Sequence, residues 1–423
     1  MLRSNSCGGY ALAGGLALAV MGPLAAAQAQ ETVLHYFGGR QNGDAAGPVS
    51  ALTPDQNGNL FGTSQKGGTG CNGKRSKGCG TVWEISSSGT ESVVYSFTGG
   101  ADGGFPVASV ILDSSGNIYG TTQRGGANNL GTVFEVSPGG AETVLYSFAG
   151  GTDGALPASA LYMDSSGNLY GTTEQGGGKN CFDAGCGVVY KIAPGGAETI
   201  LYSFKGGNDG WFPVGNLIAD SSGNLYGTTE YSGNTGKCSG TGCGTVFEIT
   251  GVNKKKTLYS FTGGFPTGSD GGLPLAGLIM DSSGNLYGTT SSGGAGEGCY
   301  QGCGTVFELT AGGSESVLYS FQGWSAGQHV DGAFPVASLI MDGSGNLFGT
   351  TKLGGARCGC GTVFKVAPGG TETVLFSFNR GDGVGTTGHY AENSLIEDGS
   401  GNLYGTTYAG GYRQSGVAFE ISQ

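Results

Sequence analysis

The chain has 423 residues, of which 91 are glycine and 12 are proline, a combined share about twice that of average proteins. This composition argues against a helix-rich protein, while 37% hydrophobic and 10% aromatic residues leave ample material for a core and argue against disorder. The net charge of −12 argues against nucleic acids and anionic lipid surfaces as partners, because both are bound through clustered Lys and Arg.

Residues 1–29 have the features of a secretory signal peptide. Arg3 precedes an apolar run from Tyr10 to Leu24, and the small residues around Ala29 offer a cleavage site. The run is shorter than the ~20 residues that a membrane-spanning helix needs, so we favour cleavage over a membrane anchor. We therefore expect an exported protein, periplasmic or extracellular, with no membrane span.

A tandem repeat fills the rest of the chain. The phrase Gly-Asn-(Leu/Ile)-(Tyr/Phe)-Gly-Thr occurs seven times, with its Asn at positions 59, 117, 168, 224, 285, 346 and 402. Around each copy, four short runs rich in β-branched and aromatic residues return in the same order, and Gly, Ser, Asp or Pro bound them, as is typical of strands. No helical periodicity appears. We predict an all-β, seven-bladed β-propeller with four antiparallel strands per blade, named A to D from the axis outwards.

The chain ends are out of phase with the repeats. Residues 31–37 match strand D, whereas residues 417–421 match strand C. We expect the N-terminal strand to complete the last blade, because closing the ring removes exposed sheet edges. A single domain is predicted over residues 30–423, with repeats near 48–98, 106–149, 157–205, 213–262, 274–322, 335–379 and 391–422 plus the closing strand 31–37.

The wording of the repeat is specific. Asp-Ser-Ser-Gly-Asn-Leu-Tyr-Gly-Thr-Thr, followed by Gly-Thr-Val-Phe-Glu and Glu-Thr-Val-Leu-Tyr-Ser-Phe, resembles the tandem repeats of bacterial exported proteins called GloVer-containing, the choice-of-anchor GloVer family. This resemblance implies export and a repeat architecture and brings no catalytic residues. A looser likeness to NHL-type propellers, in the Pro-led strand and the Gly-Asn-Leu-Tyr hairpin, concerns the fold only.

The cysteines after the predicted signal peptide form five neighbouring pairs, all between strands B and C. In an exported chain this pattern predicts disulfides, each closing one loop. Zinc or copper ligation is the alternative, but a closed zinc site needs four ligands and the pairs belong to separate blades. The predicted pairs are Cys71 with Cys79, Cys181 with Cys186, Cys238 with Cys243, Cys299 with Cys303, and Cys358 with Cys360.

The long, variable D–A and B–C loops lie on the same face of a propeller, so we expect this loop-bearing face to contact partners. The loops that enter the last two A strands carry a varied set of polar and aromatic side chains, and Trp211 adds an aromatic ring on the same face. The predicted binding residues are Trp324, His329, Asp331, Arg380, Asp382, His389, Tyr390, Glu392 and Trp211.

An aspartate recurs in every D–A loop. Asp opens β-turns by hydrogen-bonding nearby backbone, and we favour this structural interpretation. Alternatively, the carboxylates form an acidic ring at the channel mouth that holds calcium. The candidates for such a site are Asp102, Asp153, Asp209 and Asp270, with Asp331, Asp382 and Asp44 in the corresponding loops. We expect no cofactor, with calcium as the alternative.

Motifs of catalysis are weak in this sequence. Gly323-Trp-Ser-Ala-Gly327 matches a nucleophile elbow, but that motif needs a strand-to-helix turn in an α/β sheet. The three histidines, His35, His329 and His389, have no metalloprotease spacing. We therefore favour a monomeric binding scaffold for an extracellular glycan, peptide or protein, with no catalytic residue assigned. The alternative is an extracellular polysaccharide or peptide hydrolase or lyase that uses carboxylates and His329 with His389 at the channel mouth.

Overall fold

The structure is a computed structural model. It describes residues 29–38, 43–71, 78–178, 181, 183–231, 238, 242–263, 270–296, 298–325, 328–329, 331–355, 359–379, 388–411 and 413–423. These residues form seven antiparallel sheets arranged as the blades of a propeller, which confirms the predicted fold class. The described residues contain one helical turn, the 3-10 turn Gly207–Asp209.

Each blade contains the four predicted strands in the order A-B-C-D. Strand A is Thr53–Pro54, Ile111–Leu112, Tyr162–Met163, Ile218–Ala219, Ile279–Met280, Ile340–Met341 and Ile396–Glu397 in blades 1 to 7. Strand B is Leu60–Gly67, Ile118–Thr122, Leu169–Gly176, Leu225–Thr229, Leu286–Thr290, Leu347–Thr351 and Leu403–Thr407. Strand C is Thr81–Ile85, Thr132–Val136, Val188–Ile192, Thr245–Gly251, Thr305–Leu309, Thr362–Val366 and Val417–Ser422. Strand D is Glu91–Ser96, Glu142–Ser147, Glu198–Ser203, Lys254–Ser260, Glu315–Ser320, Glu372–Ser377 and, for blade 7, Gln30–Tyr36.

Short strands at the loop-bearing face extend several blades. Ala45–Pro48 and Gly154–Pro157 pair with the ends of strand B in blades 1 and 3. In blades 6 and 7, Gly332–Ala333 pairs with Leu353–Gly354, and Gly388–His389 pairs with Ala409–Gly410. Trp324–Ser325 and Gln328–His329 form a hairpin in the loop before blade 6.

In each repeat the first of the four short runs, such as residues 335–341, is apolar and predicts strand A. The run starts with Pro in blades 1 to 6, and strand A is shorter than the run. The last two residues of the run pair with strand B in every blade, and Pro48 and Pro157 also do so in blades 1 and 3. The residues between contact the neighbouring blade. Thr63 Oγ1 of blade 1, for example, donates a hydrogen bond to the Ala108 carbonyl oxygen of blade 2 at 2.8 Å. The run therefore lines the propeller axis and ties adjacent blades together, because its backbone bonds are shared between them.

The Gly-Thr-Thr of strand B is explained by packing. A Cβ added at Gly120 would lie 2.6 Å from the Phe134 ring of strand C, so only glycine leaves room for that ring. The first Thr of the motif bonds to the next blade, as Thr63 does. The second Thr bonds strand C of its own blade, as between the hydroxyls of Thr122 and Thr132 at 2.8 Å.

The core consists of apolar layers between adjacent blades, and an aromatic pair marks the centre of each layer. The Phe that follows strand D contacts the strand C aromatic of the next blade edge-on or tilted, with ring centroids 4.9 to 5.2 Å apart. All seven interfaces have such a pair: Phe37 with Trp83, Phe97 with Phe134, Phe148 with Tyr190, Phe204 with Phe247, Phe261 with Phe307, Phe321 with Phe364, and Phe378 with Phe419.

The N-terminal strand closes the ring as predicted. Gln30–Tyr36 pairs antiparallel with Val417–Ser422, from Gln30 opposite Ser422 to Tyr36 opposite Val417. The last and first blades also share a side-chain bond, because Thr406 Oγ1 donates to the Ser50 carbonyl oxygen at 2.9 Å. The interface between blades 7 and 1 therefore has the threonine bond and the aromatic pair that recur between other blades.

Candidate functional site

The antiparallel order of strands gives the propeller two different faces. The A–B turns are tight, because an aspartate accepts several hydrogen bonds in each: Asp113 accepts the Asn117 backbone N–H at 2.9 Å and its side-chain amide at 2.8 Å. The B–C and D–A loops are longer and lie at the other end of the strands. The axial channel encloses a cavity of about 120 Å3 that is lined by residues of all seven blades.

One ring of channel residues lies nearest the loop-bearing face. In blades 1 to 6 it is the residue after the Pro that starts the axial run, and in blade 7 it is the residue after Ala391. Six of the seven positions are apolar and the seventh is a carboxylate: Val49, Val107, Ala158, Val214, Leu275, Val336 and Glu392. Glu392, a predicted binding residue, is therefore the position at which the repeat places a charge in its channel.

Glu392 is paired with a lysine of the preceding blade. Lys352 directly follows strand B of blade 6, and its Nζ lies 3.1 Å from Glu392 Oε1, with both side chains partly exposed. An ion pair at such an exposure contributes little to stability, about 0 to 1 kcal/mol. It nevertheless presents both an acceptor and a donor to any ligand that enters the channel mouth.

The position of Lys352 forms a second, polar ring around the mouth. The residues at this position are Gln65, Gln123, Glu174, Glu230, Ser291, Lys352 and Tyr408. Gln123 Nε2 donates to Glu174 Oε1 at 3.2 Å across the interface between blades 2 and 3. Burial raises the pKa of Glu174 and of Glu230, while the hydrogen bond from Gln123 opposes the shift at Glu174. We call this ring the polar rim.

A third ring, which we call the left-handed ring, consists of bulky residues with a left-handed backbone conformation. Each lies directly before the axial run. Their φ angles lie between 55° and 60°, a region costly for side chains with a Cβ. Two hydrogen bonds hold each in place. In blade 6, for example, the Phe334 N–H donates to the Cys303 carbonyl oxygen at 2.8 Å, and the Phe334 carbonyl oxygen accepts the Lys352 N–H at 3.1 Å. The ring contains Phe105, Leu156, Phe212, Leu273, Phe334 and Tyr390, with Gly47 in blade 1.

The sequence analysis missed this ring as a unit, although a signal was present. A bulky residue directly before Pro recurs in five repeats, and the same place is taken by Tyr390 before Ala391. Tyr390, a predicted binding residue, is 37% exposed. The structure thus places Tyr390 and Glu392, two of the predicted residues, at the loop-bearing mouth of the channel.

Two other predicted binding residues are buried. Trp211 is 8% exposed, because its ring packs against Phe212 at 4.8 Å and Tyr231 at 5.0 Å between centroids. Asp331 is 3% exposed and accepts hydrogen bonds from the Tyr319 hydroxyl at 2.7 Å and from loop backbone. Both side chains are therefore shielded from solvent in this structure, and their role in binding stays a prediction.

For the other five predicted binding residues, the structure describes the backbone at most. Arg380 and Asp382 lie outside the described residues. Trp324 and His329 face each other as backbone partners in the hairpin before blade 6, and His389 pairs with Ala409 in blade 7. The structure describes the backbone of these three residues but not their side chains, so their convergence with Tyr390 and Glu392 stays a prediction.

The aspartates of the D–A loops lie beside the outermost strand and not around the channel. In the five loops before blades 2 to 6, each accepts the hydroxyl of a strand D tyrosine and a backbone N–H of its own loop, as Asp102 does from Tyr95 at 3.1 Å and from the Thr98 N–H at 2.7 Å. Asp44 lies beside His35 instead, and Asp382 lies outside the described residues. This is the structural role that the sequence favoured, and it does not form the acidic ring of the alternative interpretation. The matching bonds join Asp153 to Tyr146, Asp209 to Tyr202, and Asp270 to Tyr259.

Disulfides stiffen the loop-bearing face. Four of the predicted bridges are present, with Cα atoms 5.2 to 5.5 Å apart: Cys71–Cys79, Cys181–Cys186, Cys238–Cys243 and Cys299–Cys303. Cys360 is also disulfide-bonded, and its predicted partner Cys358 lies outside the described residues. Such bridges are typical of exported proteins.

Each described bridge packs against the adjacent D–A loop. A Cβ added at Gly323 would lie 2.3 Å from Cys303 Sγ, so the bridge and the loop are in close contact. Within the Cys299–Cys303 loop, Tyr300 is 93% exposed. The bridge thus holds an aromatic ring in solvent on this face. No helix among the described residues is long and apolar enough to cross a membrane.

Comparison with known proteins identifies the family. The family model described as the Gloeobacter/Verrucomicrobia repeat matches residues 20–184, 70–300, 182–330 and 239–423. No curated protein sequence matches the chain.

Solved structures show the same fold at low identity. The extracellular domain of the putative one component system BT4673 from B. thetaiotaomicron has a TM-score of 0.54 at 10% identity, over 93% of this chain and 40% of that one. A fungal alcohol oxidase of the AA5 family, in complex with copper, has a TM-score of 0.53 at 15% identity, over 89% of this chain and 74% of that one. A putative gluconolactonase has a TM-score of 0.42 at 13% identity, over 76% and 89% of the two chains. This chain belongs to the Gloeobacter/Verrucomicrobia repeat family and folds as a seven-bladed β-propeller.

Proposed function

We propose that this protein is an exported, non-catalytic binding scaffold that holds a polar extracellular ligand at the loop-bearing mouth of its channel. The observation that carries the proposal is the Glu392–Lys352 pair. Glu392 stands in a ring of channel residues that is apolar in the other six blades. A charge that the repeat does not need for folding is best explained by recognition, because the six other blades form the same contacts without it.

Glycans are the ligand class that the mouth fits best, ahead of peptides and proteins. Sugar hydroxyls both donate and accept hydrogen bonds. The polar rim offers donors at Gln123 and Lys352 and an acceptor at Glu174, and Glu392 adds a second acceptor beside the rim. Exposed aromatic rings favour sugars through their apolar faces, and Tyr390 and Tyr300 lie on this side of the propeller. The bridged loops support this function, since rigid loops lose less entropy on binding.

The test is a binding screen of the purified protein against a glycan array and a peptide library. Glu392→Val restores the residue type of the other blades and should keep the fold, while we expect it to weaken binding at least about tenfold, or 1.4 kcal/mol. Ser400→Ala, in an exposed A–B turn of the same blade, is the matched control and should bind as the wild type. Thermal unfolding of both variants checks that the propeller is intact.

Two results would count against this function. Absence of saturable binding to both libraries, or binding that Glu392→Val leaves unchanged, would remove the channel mouth as the site. Turnover of a polysaccharide or peptide that is abolished in the His329→Ala, His389→Ala double variant would favour the hydrolase or lyase instead. We expect the protein to act as a monomer in the periplasm or outside the cell, and gel filtration of the purified protein checks the first point.

A further inference from the structure

A three-residue cluster recurs at the outer edge of the interfaces between blades. At the interface of blades 2 and 3, the Tyr146 hydroxyl donates to Asp153 Oδ2 at 3.1 Å, and Glu198 from strand D of blade 3 lies beside them. Tyrosine, aspartate and glutamate occupy the same places at three further interfaces. Those three clusters are Tyr95, Asp102 and Glu142; Tyr259, Asp270 and Glu315; and Tyr319, Asp331 and Glu372.

The interface that closes the ring has a different cluster. His35 of the N-terminal strand takes the place of the tyrosine, while Asp44 and Glu91 of blade 1 keep the two carboxylates. One candidate ligand atom from each of these residues lies within 4.8 Å of the other two. The sequence thus replaces a hydroxyl donor by an imidazole, a metal ligand, at a single described interface.

One polar atom of each residue in this cluster lacks a hydrogen-bond partner, whereas Asp44 Oδ2 accepts the Gly38 N–H. His35 Nε2, Asp44 Oδ1 and Glu91 Oε1 are shielded from solvent and have no hydrogen-bond partner among the described residues. In the clusters that contain tyrosine, only the glutamate Oε1 is in that position, because hydroxyl and backbone groups satisfy the aspartate. Unpartnered buried polar atoms are costly, and a bound cation is one way to satisfy all three together.

The electrostatics of the cluster also favour a cation. The Asp44 and Glu91 carboxyl groups lie side by side, and a cation between them would offset the repulsion between two carboxylates. At the interface of blades 3 and 4, the corresponding place of the glutamate is taken by Lys255, whose ammonium group pairs with Asp209. At the closing interface, Glu91 stands at the place of Lys255.

We propose that His35, Asp44 and Glu91 form a binding site for one divalent transition-metal cation of the zinc and manganese class. One imidazole nitrogen and two carboxylate oxygens suit these ions, whereas calcium takes oxygen ligands only. Three protein ligands leave a coordination position for water. This site lies at the outer edge of the ring and is independent of the function proposed for the channel mouth.

A metal ion at this site would cross-link the last blade to the first. His35 belongs to the strand that completes blade 7, whereas Asp44 and Glu91 belong to blade 1, so one ion would bridge the two blades that the ring closure brings together. A ligand that binds only the folded state stabilises it. The closed propeller should therefore be more stable with the metal than without it.

The experiment uses the purified mature protein after treatment with a chelator. Calorimetric titration with Zn2+, Mn2+ and Ca2+ measures affinity and stoichiometry, and the visible spectrum with Co2+ reports nitrogen ligation. The test variants are His35→Tyr, which installs the residue of the other interfaces and should keep the fold, and Glu91→Gln. Glu142→Gln, in the tyrosine-containing cluster of blades 1 and 2, is the matched control.

We expect one Zn2+ or Mn2+ per chain and a higher melting temperature with the metal. Affinity should fall at least about tenfold in both test variants, which corresponds to 1.4 kcal/mol, and stay unchanged in Glu142→Gln. Absence of stoichiometric uptake by the wild type would overturn the proposal. Equal uptake by His35→Tyr, or a preference for Ca2+ over Zn2+ and Mn2+, would overturn it as well.

Discussion

Lys255 Nζ lies 3.0 Å from Asp209 Oδ1 across the interface between blades 3 and 4, and its side chain is 2% exposed. In the corresponding clusters of five other interfaces a glutamate stands at the place of Lys255, namely Glu91, Glu142, Glu198, Glu315 and Glu372. Burial lowers the pKa of Lys255, and the attraction of Asp209 opposes this shift. Opposite charges therefore meet at this interface, whereas two carboxyl groups meet at those five.

Replacing Lys255 by methionine should destabilise the propeller. The change leaves the Asp209 carboxylate without its cation, and removing one partner of a buried ion pair costs about 3 kcal/mol. Chemical denaturation of the purified protein measures the effect. Lys256→Met removes an exposed lysine of the same strand and should change stability by less than about 0.5 kcal/mol. Equal losses in the two variants would contradict the importance of this pair.

The carboxyl pairs make stability depend on pH in a defined direction. Burial, and then Asp153, raise the pKa of Glu198 from 4.5 to about 8 in the folded protein. The folded state thus binds the proton more tightly than the unfolded chain, so this contribution to stability is complete below pH 4.5 and is lost as pH rises to about 8.

Glu198→Gln should therefore stabilise the protein at pH 8 by about 1 kcal/mol relative to its effect at pH 4.5. Melting temperatures across this pH range measure the difference. Glu135→Gln, which removes a carboxylate beside Tyr119 in strand C of blade 2, serves as the control. A pH-independent effect of Glu198→Gln would show that the carboxyl group is not held in its neutral form.

Removing one disulfide should loosen a single loop and leave the ring closed. For Cys299→Ser with Cys303→Ser we expect a loss of about 2 kcal/mol, the chain-entropy value for so short a loop. Hydrogen exchange should accelerate around Tyr300, while the B–C loop of blade 2, which contains no cysteine, should be unaffected. Unfolding of the whole propeller at ambient temperature would contradict a local role for the bridge.

In the left-handed ring around the channel mouth, a glycine variant should be more stable than an alanine variant, the reverse of the order in an ordinary strand. Leu273 has a φ of 56°, so Leu273→Gly should be more stable than Leu273→Ala by about 1 kcal/mol. At Thr373, in strand D of blade 6, alanine should be more stable than glycine because the backbone there is an ordinary strand. Denaturant unfolding of the four variants compares them, and the same order at both positions would disprove the strain at Leu273.

The fold could be predicted because its contacts repeat along the chain. Glycine beneath the strand C aromatic, threonine towards the next blade and aspartate in the A–B turn are needed once per blade, so each leaves a regular mark in the sequence. The closing strand was predictable for the same reason. The Pro-led run predicts a full strand A, because an apolar run does not show whether its backbone pairs within a blade or between blades.

The candidate site could be predicted only in part. The location of Tyr390 and Glu392 could be predicted, because the loop that carries them lies on the loop-bearing face. The burial of Trp211 and Asp331 could not, because it depends on neighbours that the repeat does not reveal. The polar rim and the left-handed ring each take one residue per blade, and their members meet only around the axis.

By itself, the sequence determined the number of blades, the order of the strands and the pairing of the cysteines, because these follow from local patterns repeated at a regular spacing. Only the tertiary structure decided which side chains meet. His35, Asp44 and Glu91 lie in different segments and share no motif, and they come together because closing the ring places the N-terminal strand against blade 1.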